Sequence, residues 1–278
     1  MSFPLSVVIL ARNEALNIER CVKAVQWCDD VIVVDDCSTD QTAALAIACG
    51  ARVVQHAFVS FADQRNWAML HADVKHAWIL HLDADEVVTD SLREELQSML
   101  SVVTKDVAAF RMCRKVMLQG TWLRYSDGFP VWIMRLVRKG RAQFQDCGHG
   151  EISVPEVAGE MGTLREPFLH FSFSKGLEDW IARHNRYSTR EAILELESIQ
   201  ALRLSSLFSR DRAIRRSALR ALSRRLPFRP FLRFCYQYVL KRGFLDGQAG
   251  WTFSRLMAMY EGWIVLKRKE LEKNSKTR

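Results

Sequence analysis

Several things are missing from this 278-residue chain, and each absence narrows what it can be. No run approaches the roughly 18–20 apolar residues that a membrane-spanning helix needs. The seven cysteines are scattered, odd in number and without a C-x-x-C pair. That pattern argues against a disulfide framework or a zinc site and fits a reducing compartment. The first residues, MSFPLSVVILARNE, lack a basic start followed by a long apolar core and a cleavage site, so no signal peptide is expected. There is no G-x-x-x-x-G-K-[ST] string, which excludes a P-loop. Internal repeats and low-complexity segments are absent as well. Acid is scarce in one place only: residues 201–278 hold 5 acids against 19 lysines and arginines, whereas residues 1–200 hold 27 against 21. The net charge of +8 therefore belongs to the C-terminal part. Its partner should be acidic, either an anionic membrane surface or nucleic acid. No nucleic-acid-binding motif accompanies the charge, so nucleic acid is not expected.

What is present is apolar and periodic. At 49% hydrophobic residues the chain can bury a full core, as one large domain or a domain with an appendage. Leu5–Leu10 is a continuous apolar run, suited to a strand buried on both faces. Asn13 or Asn17 can cap a helix over Ile18–Trp27. Val31–Val34 predicts a second strand, ending in Asp35 and Asp36. CSTDQTAALAIACGA reads as a helix with Ser38, Thr39 or Asp40 as cap and Gly50 as stop. Arg52–Gln55 is a third strand and Ala62–Leu70 a helix. Ala77–Leu82 is a fourth strand, and a helix from Asp90 to Leu100 follows. The β-α-β-α-β-α-β order predicts an open, mostly parallel α/β sheet. From about 107 the strands become shorter, and a helix is expected from about Gly176 to Arg203.

Two strands of this sheet end in carboxylates: Asp35/Asp36, and Asp83/Asp85 with Glu86 behind them in WILHLDADEVV. Ligands of open α/β sheets bind outside the carboxyl ends of the strands. Like charges packed this closely call for a cation or open water. A D-x-D at a strand end suits Mg2+ or Mn2+, which keeps part of its shell for water and substrate phosphates and can neutralise a departing diphosphate. The bland reading is a solvated turn that caps the next helix. A rival chemistry is the haloacid-dehalogenase-type phosphatase, with Asp83 as nucleophile, but there the D-x-D stands on the first strand and the acidic pair comes later. Here Asp35/Asp36 comes first.

Four stretches, LSVVILARNEALNIERCV, VIVVDDCSTDQT, FADQRNWAM and WILHLDADEVV, together resemble the successive signatures of family 2 glycosyltransferases. HGEI and the LHFSF…W…NRYS region are similar to the lipopolysaccharide-core glucosyltransferase-like branch. The resemblance implies a GT-A fold and a nucleotide-sugar donor, a UDP-sugar first among them. It implies that Asp35 or Asp36 accepts a hydrogen bond from the nucleotide base, and that Asn13 and Glu14 lie near the same nucleoside. Arg65 would approach the nucleotide or its phosphates. Asp83 and Asp85 would hold Mg2+ or Mn2+ on the diphosphate, with Glu86 a third ligand or a helix N-terminal charge.

Inverting sugar transfer needs a base for the acceptor hydroxyl, and a carboxylate on the far side from the diphosphate suits that task. DCGHGEISV supplies the candidates: Glu151 first, Asp146 second, with His149 orienting the acid or touching the acceptor. Gly150 separates His149 from Glu151, unlike the adjacent pairs of similar family members. His170, flanked by apolar residues in PFLHFSF, reads as a core histidine first and a metal or phosphate contact second.

In RDRAIRRSALRALSRRL, Arg212, Arg216, Arg220 and Arg224 make one basic stripe on a helix, and LPFRPFLRFCYQYVLKRGF mixes arginine with aromatics. Both suit the surface of an anionic bilayer, reached through residues 203–242. The division expected is a GT-A catalytic domain over 1–200, with a nucleotide-sugar half to about 105 and an acceptor half from about 106, and a basic amphipathic helical extension over 201–278. The activity expected is hexose transfer to a glycolipid or lipid-linked saccharide in lipopolysaccharide or cell-envelope polysaccharide synthesis. The enzyme would be cytoplasmic and peripheral on the inner face of the cell membrane. The phosphatase, and a membrane-binding module that lost catalysis, are the alternatives.

Overall fold

The computed structural model describes residues 3–146, 151–154, 159–200, 208, 211, 214–215, 218, 224 and 226–276. It divides into two compact units: Met1–Trp122 with Gly128–Lys175, and Leu123–Asp127 with Gly176–Arg278.

The first unit is the expected α/β sheet. In chain order it holds β1 (Phe3–Ala11), α1 (Ile18–Lys23), β2 (Cys28–Asp35), α2 (Thr42–Ala48), β3 (Arg52–Gln55), α3 (Phe61–His71) and β4 (Trp78–Asp83). After these come β5 (Glu86–Val87), α4 (Asp90–Val102), β6 (Val107–Leu118), β7 (Thr121–Trp122), β8 (Trp132–Arg138), β9 (Gln143–Asp146), β10 (Glu151–Val154), β11 (Glu160–Thr163) and β12 (Phe168–His170). The sheet runs β3-β2-β1-β4-β8-β6-β12-β5. The first four strands are parallel, whereas β8 lies antiparallel between β4 and β6.

The apolar run in β1 explains the layering. Successive side chains of a strand point to opposite faces. Leu5, Val7 and Ile9 accordingly join α1 and α4 in one buried cluster, and Val8 and Leu10 join α3 in the other. Register then sets the acids: Ala11 pairs with Asp35 on one side, and Leu10 pairs with Asp83 on the other. Both acidic strand ends thus flank the end of β1, where the strand order reverses.

Helix starts follow local chemistry. Thr89 and Ser60 accept from backbone N–H groups three residues on, as N-caps do. Ser38, Thr39 and Asp40 were the expected caps of α2, yet its N-cap is Gln41; Asp40 serves one step earlier, accepting from the Thr42 backbone. Asn17 caps α1 by position alone, because its amide is engaged elsewhere.

The second unit is helical: α5 (Gly176–Gln200), α6 (Arg229–Phe234) running into a wide π-turn (Cys235–Leu240), a tight turn (Gly243–Asp246) and α7 (Gly247–Lys276). Trp180 and Ala192 of α5 are buried, and Ala192 packs with Tyr260 and Ile264 of α7. This packing places α5 with the C-terminal helices, so the expected division at residue 200 falls inside the second unit. Glu195 of α5, 4% exposed, receives both Arg229 Nη atoms at 2.8 and 2.7 Å and Arg268 Nη1 at 3.5 Å. Gly250 is required by a close approach: a Cβ there would lie 2.0 Å from the Gly243 carbonyl oxygen. Among the described residues no helix is long and apolar enough to cross a membrane.

Candidate active site

The end of β4 gathers the charges. Asp83 Oδ1 accepts from Arg65 Nη2 at 2.7 Å, and its Oδ2 accepts from Arg135 Nη2 at 2.8 Å. The same Arg135 nitrogen donates to Glu86 Oε1 at 2.8 Å, and Glu86 Oε2 accepts from the Asp83 backbone N–H at 3.0 Å. Arg65 and Arg135 are 1% and 4% exposed, and Glu86 is fully buried. Two buried cations against the buried Glu86 and the partly exposed Asp83 offset part of the desolvation cost, which a single unpaired charge could not.

The pairing sets the charge states. Burial works against the Asp83 carboxylate, but Arg135 and Arg65 outweigh it and hold its pKa below the usual carboxylate range. Burial pushes the Glu86 carboxyl up, and Arg135 only partly counters this. Burial and the neighbouring Arg135 bring Arg65 down to about 9, against the pull of Asp83 and Glu86. Arg135 moves up, because Asp83 and Glu86 overcome its burial.

Asp85 faces a different partner. Its Oδ2 lies 3.4 Å from His170 Nε2 at the end of β12, a strand that pairs with β5 just beyond the D-x-D. The Asp85 carbonyl accepts from the Phe171 backbone N–H at 2.8 Å, which fixes that strand end. Burial lowers the His170 pKa, but Asp85 reverses the effect and the net direction is up. Arg20 stacks over the Phe171 ring at 3.7 Å beside this pair.

Whether a divalent cation suits these residues turns on the donor set. Asp85 and His170 bring one carboxylate and one imidazole to the same point, and Asp83 stands two residues away with its side chain 28% exposed. A carboxylate has about four lone-pair positions, so Asp83 keeps acceptor capacity beside its arginines. Among the described residues no three His, Cys, Asp or Glu side chains form a cage. Mg2+ seldom has an all-protein cage and takes its remaining ligands from phosphates and water; Mn2+ accepts imidazole readily as well. The residues fit such an ion.

The β1–β2 end makes the second half. Asp35 is fully buried, and its carboxylate accepts from the Ser38 hydroxyl and, at 3.1 Å, from the Ser38 backbone N–H. It holds the turn. Asp36 reaches further out: its carboxylate, 12% exposed, pairs with Arg12 at 2.8 Å and accepts from the Phe58 backbone N–H at 2.9 Å. Asn13 sits at φ 51, and its Oδ1 accepts from the Thr39 N–H at 2.8 Å. Glu14 lies between Asn17 Nδ2 at 2.7 Å and Lys175 Nζ at 2.5 Å.

On the other side, Asn66 of α3 makes two hydrogen bonds to β9: its Nδ2 donates to the Phe144 carbonyl at 2.9 Å and its Oδ1 accepts from the Phe144 N–H at 3.0 Å. β9 leads to Asp146, whose backbone is in register with Glu151 of β10. The side chains of Asp146 and Glu151, and all of His149, lie outside the described residues.

Arg65, expected near the nucleotide or its phosphates, donates to Asp83 at the end of β4. Arg135, Arg20 and Lys175 were not anticipated. Arg135 had a signal, a lone cation in the apolar run WIMRLV, since a charge buried in a strand needs a carboxylate partner. Of the basic stripe, Arg212, Arg216 and Arg220 lie outside the described residues, and Arg224 lies 3.6 Å from Glu195.

Comparison with known proteins shows the family. The profile of "Glycosyl transferase family 2" matches residues 6–153. The chain is 29% identical to the lipopolysaccharide core biosynthesis glycosyltransferase LpsC of Rhizobium meliloti (strain 1021), over 70% of this chain and 73% of that one. It is 32% identical to the uncharacterized glycosyltransferase RC0292 of Rickettsia conorii (strain ATCC VR-613 / Malish 7), over 68% and 69% of the two chains. Among solved structures, glucosyl-3-phosphoglycerate synthase from Mycobacterium tuberculosis in complex with Mg2+ and UDP matches with a TM-score of 0.43 and 18% identity, over 60% of this chain and 70% of that one. The phosphatase alternative is not favoured.

Proposed function

The chain belongs to glycosyltransferase family 2, and on that premise we propose that it moves a hexose from a UDP-sugar to a glycolipid or lipid-linked saccharide, with inversion at the anomeric carbon. The acceptor belongs to lipopolysaccharide or another cell-envelope polysaccharide, the class to which the name of the Rhizobium relative points. The place of work is the inner face of the cell membrane. The observation that carries the reading is the meeting of Asp85 and His170 beside an arginine-held Asp83, at the carboxyl end of β4.

Each residue then has a task. Asp36, the more exposed of its pair, accepts from the nucleotide base, while Asp35 holds the turn that presents it. Asn13 and Glu14 shape the loop along the nucleoside. Asp85 and His170, with Asp83 next to them, would hold Mg2+ or Mn2+, which neutralises the diphosphate as it leaves. Arg65 and Arg135 keep Asp83 ionised. Glu151 takes the proton of the acceptor hydroxyl as its oxygen bonds to the anomeric carbon and the bond to the diphosphate breaks. Asp146, opposite it in register, is the second candidate.

The test is turnover of a panel of nucleotide sugars with the isolated chain and a lipid-linked saccharide extract, read as released nucleoside diphosphate. Glu151→Gln should abolish transfer and leave nucleotide-sugar binding near normal. Full turnover by that variant would remove Glu151 as the base; no release from any donor by the wild type would remove the whole reading.

A further inference from the structure

Among the described residues of the second unit, one apolar face stands exposed. Within residues 226–245, Leu226, Phe228, Phe231, Leu232, Val239 and Leu240 are 50%, 80%, 65%, 44%, 54% and 74% exposed. From Phe228 to Leu240 these positions recur at steps of three and four, with Tyr236 (45%) between them, so they form one stripe along α6 and the π-turn. Phe244 and Leu245 extend it at the tight turn.

The polarity of this segment is inverted. The inward positions carry Gln237, 2% exposed, whose Nε2 donates to the Ser126 carbonyl at 3.1 Å. Phe234 and Tyr238 stack on each other and meet Trp251 of α7 edge-on at 5.2 Å. Large apolar side chains therefore point to the outside of a well-fixed support. Contiguous apolar surface of this kind marks an interaction site.

The charge around the stripe names the partner. Between Asp211 and Asp246 the chain has no acidic residue. Asp246 itself is buried, accepting from the Ser126 N–H and hydroxyl at 2.7 Å each. Arg229 is spent on Glu195 and Glu261, whereas Lys241 and the exposed Arg242 follow Leu240 directly, with Lys241 Nζ 5.2 Å over the Tyr236 ring. A symmetric contact of this segment with itself in a second copy would bring these cations together without acids to meet them. The headgroup–acyl boundary of an anionic bilayer takes apolar and aromatic side chains and pairs lysine and arginine with phosphate at the rim.

We propose that residues 226–245 insert, side on, into the boundary layer of an anionic lipid bilayer, with Phe228, Phe231 and Leu240 as the immersed anchors and Lys241 and Arg242 at the headgroups. This deepens the reading above by giving the membrane contact a defined face, and it rests on that reading only for the acceptor it would bring within reach.

The test is co-sedimentation of the full chain with vesicles of phosphatidylcholine, with and without phosphatidylglycerol, at low and high salt. Phe228→Ser/Phe231→Ser/Leu240→Ser should weaken binding at least about tenfold at both salts, because the immersed area is lost. Lys241→Gln/Arg242→Gln should weaken it at low salt only, because screening has already removed that part at high salt. All five side chains lie at the surface or its edge, so circular dichroism should match wild type. Wild-type binding by the triple variant overturns the proposal. So does self-association of the lipid-free chain that the triple variant abolishes while vesicles bind neither protein. The assay holds neither donor nor acceptor, so its failure is separate from any failure of sugar transfer.

Discussion

His170 Nε2 lies 3.4 Å from Asp85 Oδ2, although Asp85 sits in the turn between β4 and β5 and His170 ends β12, far along the chain. The relationship depends on β12 pairing with β5, which puts Leu169 opposite Val87 and His170 opposite Glu86. A two-residue strand after the D-x-D thus brings in a histidine some eighty positions away. The acid two residues earlier, Asp83, is held by Arg65 and Arg135, so the two aspartates of one motif work in different surroundings.

Arg135→Met should leave Asp83 and Glu86 in a buried place with Arg65 alone. Removing one partner of a buried ion pair costs about 3–5 kcal/mol. Chemical unfolding of the first unit should show a loss of that order, and Arg135→Met/Glu86→Gln should recover part of it. A loss below about 1 kcal/mol, no more than an exposed pair gives, would mean that Arg135 is solvated.

Asn66→Ala should separate positioning from binding. The side chain hydrogen-bonds the Phe144 backbone, and β9 carries the hairpin with Asp146 and Glu151 in register. Loss of both hydrogen bonds should lower kcat by about tenfold or more, since small displacements of a reacting group are costly, and leave UDP binding within about twofold. Equal losses in kcat and binding would point to general unfolding.

Asp30 offers a pH test outside the active site. Its carboxylate accepts from the Ser6 hydroxyl at 2.6 Å, the Lys75 backbone N–H at 3.0 Å and Arg52 at 2.9 Å. Burial opposes the charge, but these partners win and the pKa is lowered. A lowered carboxylate pKa stabilises the fold above the unfolded value, about 3.9, and that stabilisation fades as pH falls through the folded value. Asp30→Asn should therefore cost about 2 kcal/mol near neutrality, with the gap to wild type closing below about pH 4. A gap that widens in acid would contradict the assignment.

The nucleotide half was legible because its signals are local. Apolar runs, two of them ending in acids, placed β1, β2 and β4 to within about three residues at each end, and Gly50, at φ +89, marks the stop after α2 as expected. What the sequence concealed depends on pairing between distant segments. Nothing in FLH says that three residues will slot between β6 and β5, so His170 reads as core. Arg65 was expected near the nucleotide or its phosphates, and its ion pair with Asp83 depends on α3 packing beside the end of β4, which the helix sequence FADQRNWAM does not show. The helix α5 was found at its right place, but its allegiance to α7 rests on packing that periodicity does not encode.

The account turns on one place, the Asp85–His170 pair beside Asp83. The most direct test is calorimetric titration of UDP into wild type, Asp85→Ala and His170→Ala, with Mn2+ and with EDTA. Wild type should bind UDP with Mn2+ and lose at least about tenfold in affinity with EDTA, and each variant should show that loss even with Mn2+ present. UDP binding that ignores both the metal and the two substitutions would contradict the claim that this strand end holds an ion against a diphosphate.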